Sequence, residues 1–396
     1  MKKYFKLLIK LLLFPGVIIL IFYLKFFDRK VVFLRTSRLG DFMITTEYFL
    51  RTNTDTDKYI LIINNYSCAN SFITNRYYYE IKKRKFCTIS NNYIVRGLYW
   101  FKDFINYFSL EKEMLTYNDF NSKNEYRYSY TYPIFAKTDS IIDINYFKKD
   151  ILNLKKSLKI NEKNFVCLHV RDSFYLKKKF PNDNWDYHDF RNANIDEYID
   201  IINYLNSKNF FVIKLGENEN IINYTKLKFP NMYIDFSHNN FYSSKNEMLL
   251  SFFCEFMIGT YSGISHSQQI LNKPMIFMNV TPFIEKPYGY KNMFIPKKLF
   301  DFKTNKYISL NESLNYGYFK IYNGHDLKKY NLKYINNSNT EMISALEEFL
   351  LFLNKKSFTP TKGQIKFNQE FEKYSICIGN ENFICDSFLK KNKYLI

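Results

Sequence analysis

Apolar residues in this chain come in short runs, separated by polar stretches rich in Lys, Asn and Tyr. That pattern suits buried strands alternating with amphipathic helices. Residues 31–34, Val-Val-Phe-Leu, read as a strand. Arg35-Thr36-Ser37-Arg38-Leu39-Gly40-Asp41 then turns into a helix-like stretch over 42–50. Strand, glycine-containing turn and helix in that order open a Rossmann-like half. A second strand is expected over 59–63 and an aromatic helix around 99–108, the latter inside a stretch (76–135) without clear periodicity.

A second α/β unit starts at residues 165–170, a buried-type strand ending in Arg171-Asp172. The loop expected over 173–193 is long, and loops of that size inside compact domains commonly carry function. Asn194 caps a helix with Ile195, Tyr198, Ile199, Ile202 and Leu205 on one face. Strands follow over 210–215, stopped by Gly216-Glu217, over 256–258, stopped by Gly259, and over 275–278, with a helix over 264–271. This alternation implies a mostly parallel sheet that receives ligands at the carboxyl ends of its strands. Ser338-x-x-Glu341 is a capping box for a helix through Met342, Leu346, Phe349 and Leu353. The tail from 357 to 396 mixes aromatics with charges and is expected to pack on the body.

The N-terminus departs from this pattern. An apolar run over 11–24, interrupted by Pro15-Gly16, lies between Lys2, Lys3, Lys6 and Lys10 on one side and Lys25, Arg29 and Lys30 on the other. At about 1.5 Å per residue the run reaches about 21 Å, short of the roughly 30 Å hydrocarbon core. No small-residue cleavage site follows Leu24, which argues against a signal peptide. The reading that fits best is a kinked monotopic anchor on the anionic cytoplasmic face of the inner membrane, where each basic residue contributes about 1 kcal/mol. A spanning helix and a core helix are the alternatives.

The chain has 396 residues, enough for two domains, and 46% are hydrophobic, enough for full cores. Its 57 basic and 38 acidic residues leave a net charge of +19, which calls for an anionic partner: phosphorylated small molecules, a lipid surface or nucleic acid. The basic residues and the 20% of aromatics are scattered rather than gathered on one element, which argues against nucleic acid. Cys68, Cys87, Cys167, Cys254, Cys377 and Cys385 form no C-x-x-C pair, so a zinc site and a disulfide framework are both unsupported, and reduced buried thiols are expected.

Three loops point to phosphate chemistry. In the first, Arg38 and Gly40 precede Asp41 at a helix start, where backbone N–H groups favour anions and a carboxylate serves either as a cap or as a base. In the second, Arg171 ends a strand, close to His169 and to Lys177-Lys178-Lys179. Arg presents a fork suited to diphosphate oxygens, whereas a lysine run is equally a solvated face and His169 equally a core histidine. In the third, Gly259-Thr260-Tyr261-Ser262-Gly263-Ile264-Ser265-His266 offers a nest of glycines and hydroxyls. No H-E-x-x-H motif, Cys cluster or Asp-x-Asp strand end supports a metal.

These residues carry a resemblance. Arg35-Thr36-Ser37-Arg38-Leu39-Gly40-Asp41 resembles the N-terminal loop of lipopolysaccharide heptosyltransferases, where the Asp is the general base. Leu168-His169-Val170-Arg171-Asp172, Tyr187-His188-Asp189-Phe190-Arg191-Asn192-Ala193-Asn194-Ile195 and Val212-Ile213-Lys214-Leu215-Gly216 resemble a bacterial family of glycosyltransferases. The His-x-Arg element is also similar to that of fucosyltransferase-like enzymes. Ser262-Gly263-Ile264-Ser265-His266 with Lys273-Pro274 resembles the donor loop of the same class. The lysine-tryptophan-proline segment of the heptosyltransferases is absent as such, with Lys179-Phe180-Pro181 and Trp185 nearby.

The resemblance implies the GT-B architecture, two Rossmann-like domains facing a cleft: an anchor over 1–30, an acceptor domain over 31–157, a donor domain over 158–335, and a closing helix and tail over 336–396. It implies metal-independent transfer, without a cofactor, from a nucleotide diphosphate-sugar to a saccharide or lipid-linked acceptor of cell-surface polysaccharide or lipopolysaccharide. Asp41 would be the base, with Glu47 and Asp172 the next candidates. Arg38, Gly40 and Arg191 would line the acceptor side or the cleft. His169, Arg171, Lys179, Gly216, Glu217, Ser262, Gly263, Ser265 and His266 would hold the donor. A non-catalytic nucleotide-sugar-binding scaffold and a protein binding single-stranded nucleic acid are the competing readings.

Overall fold

The computed structural model describes residues 2–64, 68–101, 105, 132–161, 163–281, 291–318, 321, 323–355, 358–372 and 382–395. It is a mixed α/β protein with parallel sheets, and its internal contacts divide it into two units. Unit 1 comprises Met1–Glu125 and Thr138–Asp143; unit 2 comprises Tyr126–Lys137 and Ile144–Ile396.

Unit 1 holds a parallel sheet of β1 (Lys30–Arg35), β2 (Tyr59–Asn64) and β3 (Cys87–Ile89), in that order. Helix α1 (Lys2–Phe26) precedes it, and α2 (Leu39–Thr52), α3 (Ser71–Lys83) and α4 (Asn92–Trp100) follow the strands. The expected kink at Pro15 does not break α1, which continues through it. A proline costs the helix one hydrogen bond; here the helix is held by packing, since Val17, Ile21 and Leu24 share one core with Val31, Phe33, Ile60, Ile62, Val95 and Leu98. The stretch of α1 from Val17 to Leu24 is therefore part of the unit 1 core. Among the described residues no helix is long and apolar enough to cross a membrane. Of the aromatic helix expected around 99–108, Tyr99 and Trp100 end α4, and most of the rest lies outside the described residues.

Glu47 of α2 is fully buried and saturated. It accepts hydrogen bonds from the Tyr77 hydroxyl (2.9 Å), Ser140 Oγ (2.8 Å), the Ile141 N–H (3.0 Å) and Arg51 Nε (2.6 Å). This knot ties residues 138–143 to α2 and α3.

Unit 2 is built on a seven-stranded, all-parallel sheet in the order β13-β9-β8-β7-β4-β5-β6. Its strands are β4 (Phe165–His169), β5 (Phe211–Lys214), β6 (Tyr233–Asp235), β7 (Met257–Gly259), β8 (Met275–Val280), β9 (Asn292–Pro296) and β13 (Phe383–Ile384). A small antiparallel sheet joins β10 (Lys298–Asp301) to β11 (Lys306–Tyr307) and β12 (Leu332–Ile335). Buried-type runs such as Val166–Leu168 and Ile276–Met278 sit in the interior of the seven-stranded sheet, covered on both faces as parallel strands require.

The units differ from the expected domains: residues 1–30 fall in unit 1 with the strands that follow, and Tyr126–Lys137 falls in unit 2. The helix Lys148–Ser157 belongs to unit 2, and the 336–396 segment is part of that unit because β13 adds to the edge of its main sheet. The capping box at Ser338 forms: its N–H donates to Glu341 Oε2 (2.7 Å) and its hydroxyl accepts the Glu341 N–H (3.3 Å), opening the helix Asn339–Leu353. Cys167, Cys254 and Cys385 are buried, but Cys68 is half-buried and Cys87 exposed, against the expectation of buried thiols; Cys377 lies outside the described residues.

Candidate functional site

The carboxyl ends of β9, β8, β7, β4 and β5 lie along one edge of the unit 2 sheet, the edge at which parallel sheets bind ligands. His169, the last residue of β4, pairs with Gly259 of β7, which pairs with Phe277 of β8. The chain leaves β4 toward Arg171, whose N–H donates to Thr260 Oγ1 (2.8 Å) and whose carbonyl accepts the Ala193 N–H (3.0 Å). The Arg171 guanidinium donates to Asn192 Oδ1 and to the His188 carbonyl (3.4 Å). Arg171 is thus fixed at both its backbone and its side chain, and the Tyr187–Ala193 motif folds against it. The loop expected over 173–193 is partly helical, with a one-turn helix Phe174–Lys179 and a 3-10 segment Asp186–Arg191.

A lysine that the sequence did not single out completes this cluster. Lys297 follows β9, is buried, and donates from Nζ to the carbonyls of Phe190 (2.9 Å) and Asn192 (2.6 Å). Burial pushes its ammonium down from 10.5 to about 7; Arg171 and Arg191 push the same way, and Glu197 opposes them. Three basic side chains, Arg171, Arg191 and Lys297, therefore lie near one another at the sheet edge, with Lys297 losing its charge near neutral pH. Two buried polar groups border it: Thr281 Oγ1, just past β8, and Asn218 Oδ1, past β5, have no hydrogen-bond partner among the described residues. Buried groups of that kind need a partner, and a ligand is one source.

His169 is half-buried, and its Nδ1 lies 3.1 Å from the Leu215 carbonyl. Burial lowers its pKa to about 4, so the ring is neutral at pH 7. A carbonyl only accepts, so Nδ1 carries the proton and Nε2 is left as an acceptor. A neutral ring of this tautomer is not a cationic phosphate ligand. Gly216 (φ +77°) abuts the ring, since a β-carbon there would lie 2.8 Å from His169 Cε1. The Gly216 N–H donates to Glu247 Oε1 (2.8 Å), while Glu217 pairs with Lys178 (2.7 Å) and Lys179 Nζ with the Tyr175 hydroxyl (3.1 Å). Asp172 is engaged with backbone, accepting the N–H groups of Phe174 (3.0 Å) and Glu219 (2.8 Å).

The third loop is tighter than the sequence implied. Instead of a helix over 264–271 there is a 3-10 turn, Gly263–Ser265, and a short helix, His266–Ile270, too brief to supply a helix-end field. Ser265 Oγ closes the turn, donating to the Ser262 carbonyl (2.6 Å) and accepting the Ser262 N–H (3.3 Å). His266 is buried, with Nδ1 against Gln269 Oε1. Ser265 and His266 therefore serve the turn and the core; Tyr261 and Ser262 are half-buried and Gly263 is exposed.

In unit 1, Arg38 occupies the N-cap position of α2 without a side-chain cap hydrogen bond. Gly40 is buried and Asp41 half-buried in the first turn, where the Asp41 carbonyl accepts Thr45 Oγ1 (2.6 Å). The N-cap position of α2 is held by Arg38, and Asp41 lies at the third helical position, inside the first turn. The four hydrogen bonds on Glu47 give that residue a structural role instead of a basic one. A cavity of about 400 Å³ at the start of α3 is lined by Cys68, Ser71, Thr74, Asn75 and Tyr78. Among the described residues no group of three or more His, Cys, Asp or Glu is placed to hold a metal ion.

No protein-family model matches the chain, and no curated protein matches it. Among solved structures, the chain is similar to a glycosyl transferase of family 9 from Veillonella parvula, with 10% identity over 81% of this chain and 97% of that one and a TM-score of 0.43. It is also similar to the ADP-heptose lipopolysaccharide heptosyltransferase II of E. coli, with 10% identity over 67% of this chain and 90% of that one and a TM-score of 0.37.

Proposed function

We propose that the protein is a glycosyltransferase that moves a sugar from a nucleotide diphosphate-sugar to a saccharide or lipid-linked acceptor. The observation that carries this reading is the Arg171 cluster: an arginine held at backbone and side chain at the carboxyl end of a central parallel strand, with buried Lys297 and Arg191 beside it. A diphosphate is the ligand chemistry that suits such a site, since Arg supplies a fork and a buried Lys a point charge.

In this reading the acceptor oxygen forms a bond to the anomeric carbon as the bond to the diphosphate oxygen breaks, and the electron pair leaves with the diphosphate. Arg171 and Lys297 stabilise that developing charge from fixed positions, commonly the largest catalytic contribution. Asp41 takes the acceptor proton, typically worth 10²–10⁴ in rate. The motif resemblance over 168–172, 187–195 and 212–216 supports the donor side of the reading. Thr260 and Asn192 act as positioning residues, holding Arg171 by its N–H and its guanidinium.

The test is a thermal-shift and calorimetric screen against nucleoside diphosphates and their sugars, followed by a transfer assay with the best donor. Binding that disappears in Arg171→Ala, together with turnover by the native protein, is the expected result. Binding without turnover against any acceptor would favour a sugar-nucleotide-binding scaffold.

A further inference from the structure

Helix α1 buries the wrong amount of its surface for a helix in water. Turning by about 100° per residue, it places Val17, Ile21 and Leu24 on one face, inside the unit 1 core, and Leu13 reaches Gly97 of α4 from the same side. The opposite face should be polar. It carries Leu12 (73% exposed), Ile19 (69%), Phe22 (69%), Tyr23 and Phe26 (83%), with Leu11 and Phe27 exposed at its margins. No charged residue falls on this stripe between Leu11 and Tyr23, and no described residue covers it. Along the sequence basic residues lie on either side of it: Lys2, Lys3, Lys6 and Lys10 before, and Lys25 and Arg29 after, with Arg29 lying over the Tyr23 ring at 5.6 Å; Lys30, next in line, is buried at the start of β1.

We infer that this face of α1 is a docking surface for an anionic lipid bilayer, with the helix lying in the plane of the interface. A helix with one face clamped to a protein sheet cannot cross the hydrocarbon, and among the described residues no helix is long and apolar enough to do so. An aromatic and aliphatic stripe flanked by cations matches the acyl boundary and headgroup charge of an anionic leaflet. Because Val17, Ile21 and Leu24 belong to the core, the surface cannot be removed by deleting the helix without exposing Val31 and Phe33. The inference does not depend on the sugar-transfer reading.

The experiment uses the full chain in vesicle flotation, with vesicles of equal parts phosphatidylglycerol and phosphatidylcholine and, separately, of phosphatidylcholine alone. The native protein floats with the anionic vesicles and more weakly with the neutral ones. The double variant Phe22→Ser/Phe26→Ser keeps the native melting transition and loses vesicle binding by about tenfold or more. Leu12→Ser/Ile19→Ser serves the same purpose should the first variant fold poorly. Fluorescence quenching by brominated lipids places a Trp introduced as Leu12→Trp and one introduced as Phe26→Trp at the same shallow depth. Unchanged flotation of a folded double variant, a native protein that binds no vesicle and dimerises through this face, or two clearly different Trp depths would each overturn the inference.

Discussion

Gly259 approaches His169 so closely that a β-carbon on it would lie 1.8 Å from the His169 carbonyl oxygen, and its φ of +139° lies in a region that side chains avoid. The neighbouring strands β4 and β7 can meet at this register only with glycine at 259. Gly259→Ala should therefore lower stability by more than about 3 kcal/mol, a size reserved for steric and strain failures of this type. Chemical denaturation checks this.

Lys297 yields a pH signature. Its ammonium loses its proton as pH rises through about 7, and a diphosphate prefers the charged form. Donor affinity should hold below pH 7 and decline above it, and Lys297→Met should bind more weakly with a flat profile. Stability runs the other way: the unfolded chain keeps this proton up to the ordinary value of 10.5, so between about 7 and 10.5 the native protein gains stability with pH, by at most about 1.4 kcal/mol per unit. Lys297→Met should remove that rise, as read from melts across the window.

Asp41 lies in the first turn of α2 behind the capping position held by Arg38. Asp41→Asn keeps the size of the side chain and should leave the protein folded, with the charge–dipole contribution of about 0.3–1 kcal/mol lost. Turnover should fall about a hundredfold or more with donor affinity kept. Near-normal turnover in a folded variant would remove Asp41 as the base.

Glu47 is the converse case. Its carboxylate is buried under four hydrogen bonds, one of them from Arg51, so Glu47→Ala leaves a buried guanidinium and hydroxyls without their partner. A stability loss of about 3–5 kcal/mol is expected. Equilibrium unfolding measures it.

The strands that sequence pattern revealed are those with several consecutive apolar residues: β1, β2, β4, β5, β7 and β8. β6 and β13, of three and two residues, carry no periodicity and take their place only through tertiary pairing. Arg171 was legible because it follows a buried strand. Lys297 was not: in a chain with 57 basic residues a lysine reads as surface, and its burial depends on carbonyls more than 100 residues away. A strand assigned to residues 292–296 would have placed Lys297 at a carboxyl end and drawn it into the candidate set. The side chains of Ser265 and His266 looked available in sequence, but whether a hydroxyl faces a ligand or closes its own turn is decided by backbone geometry.

The Arg171 edge of the unit 2 sheet is expected to bind a nucleoside diphosphate. Calorimetric titration of the native protein, Arg171→Lys and Arg171→Ala with the nucleoside diphosphate that gives the largest thermal shift tests it most directly. Arg171→Lys keeps the charge but loses the fork held by Asn192 and His188, so its affinity should fall about tenfold or more, and Arg171→Ala should abolish measurable binding. Equal affinity in all three proteins, with each shown to be folded, would mean that Arg171 does not hold the diphosphate.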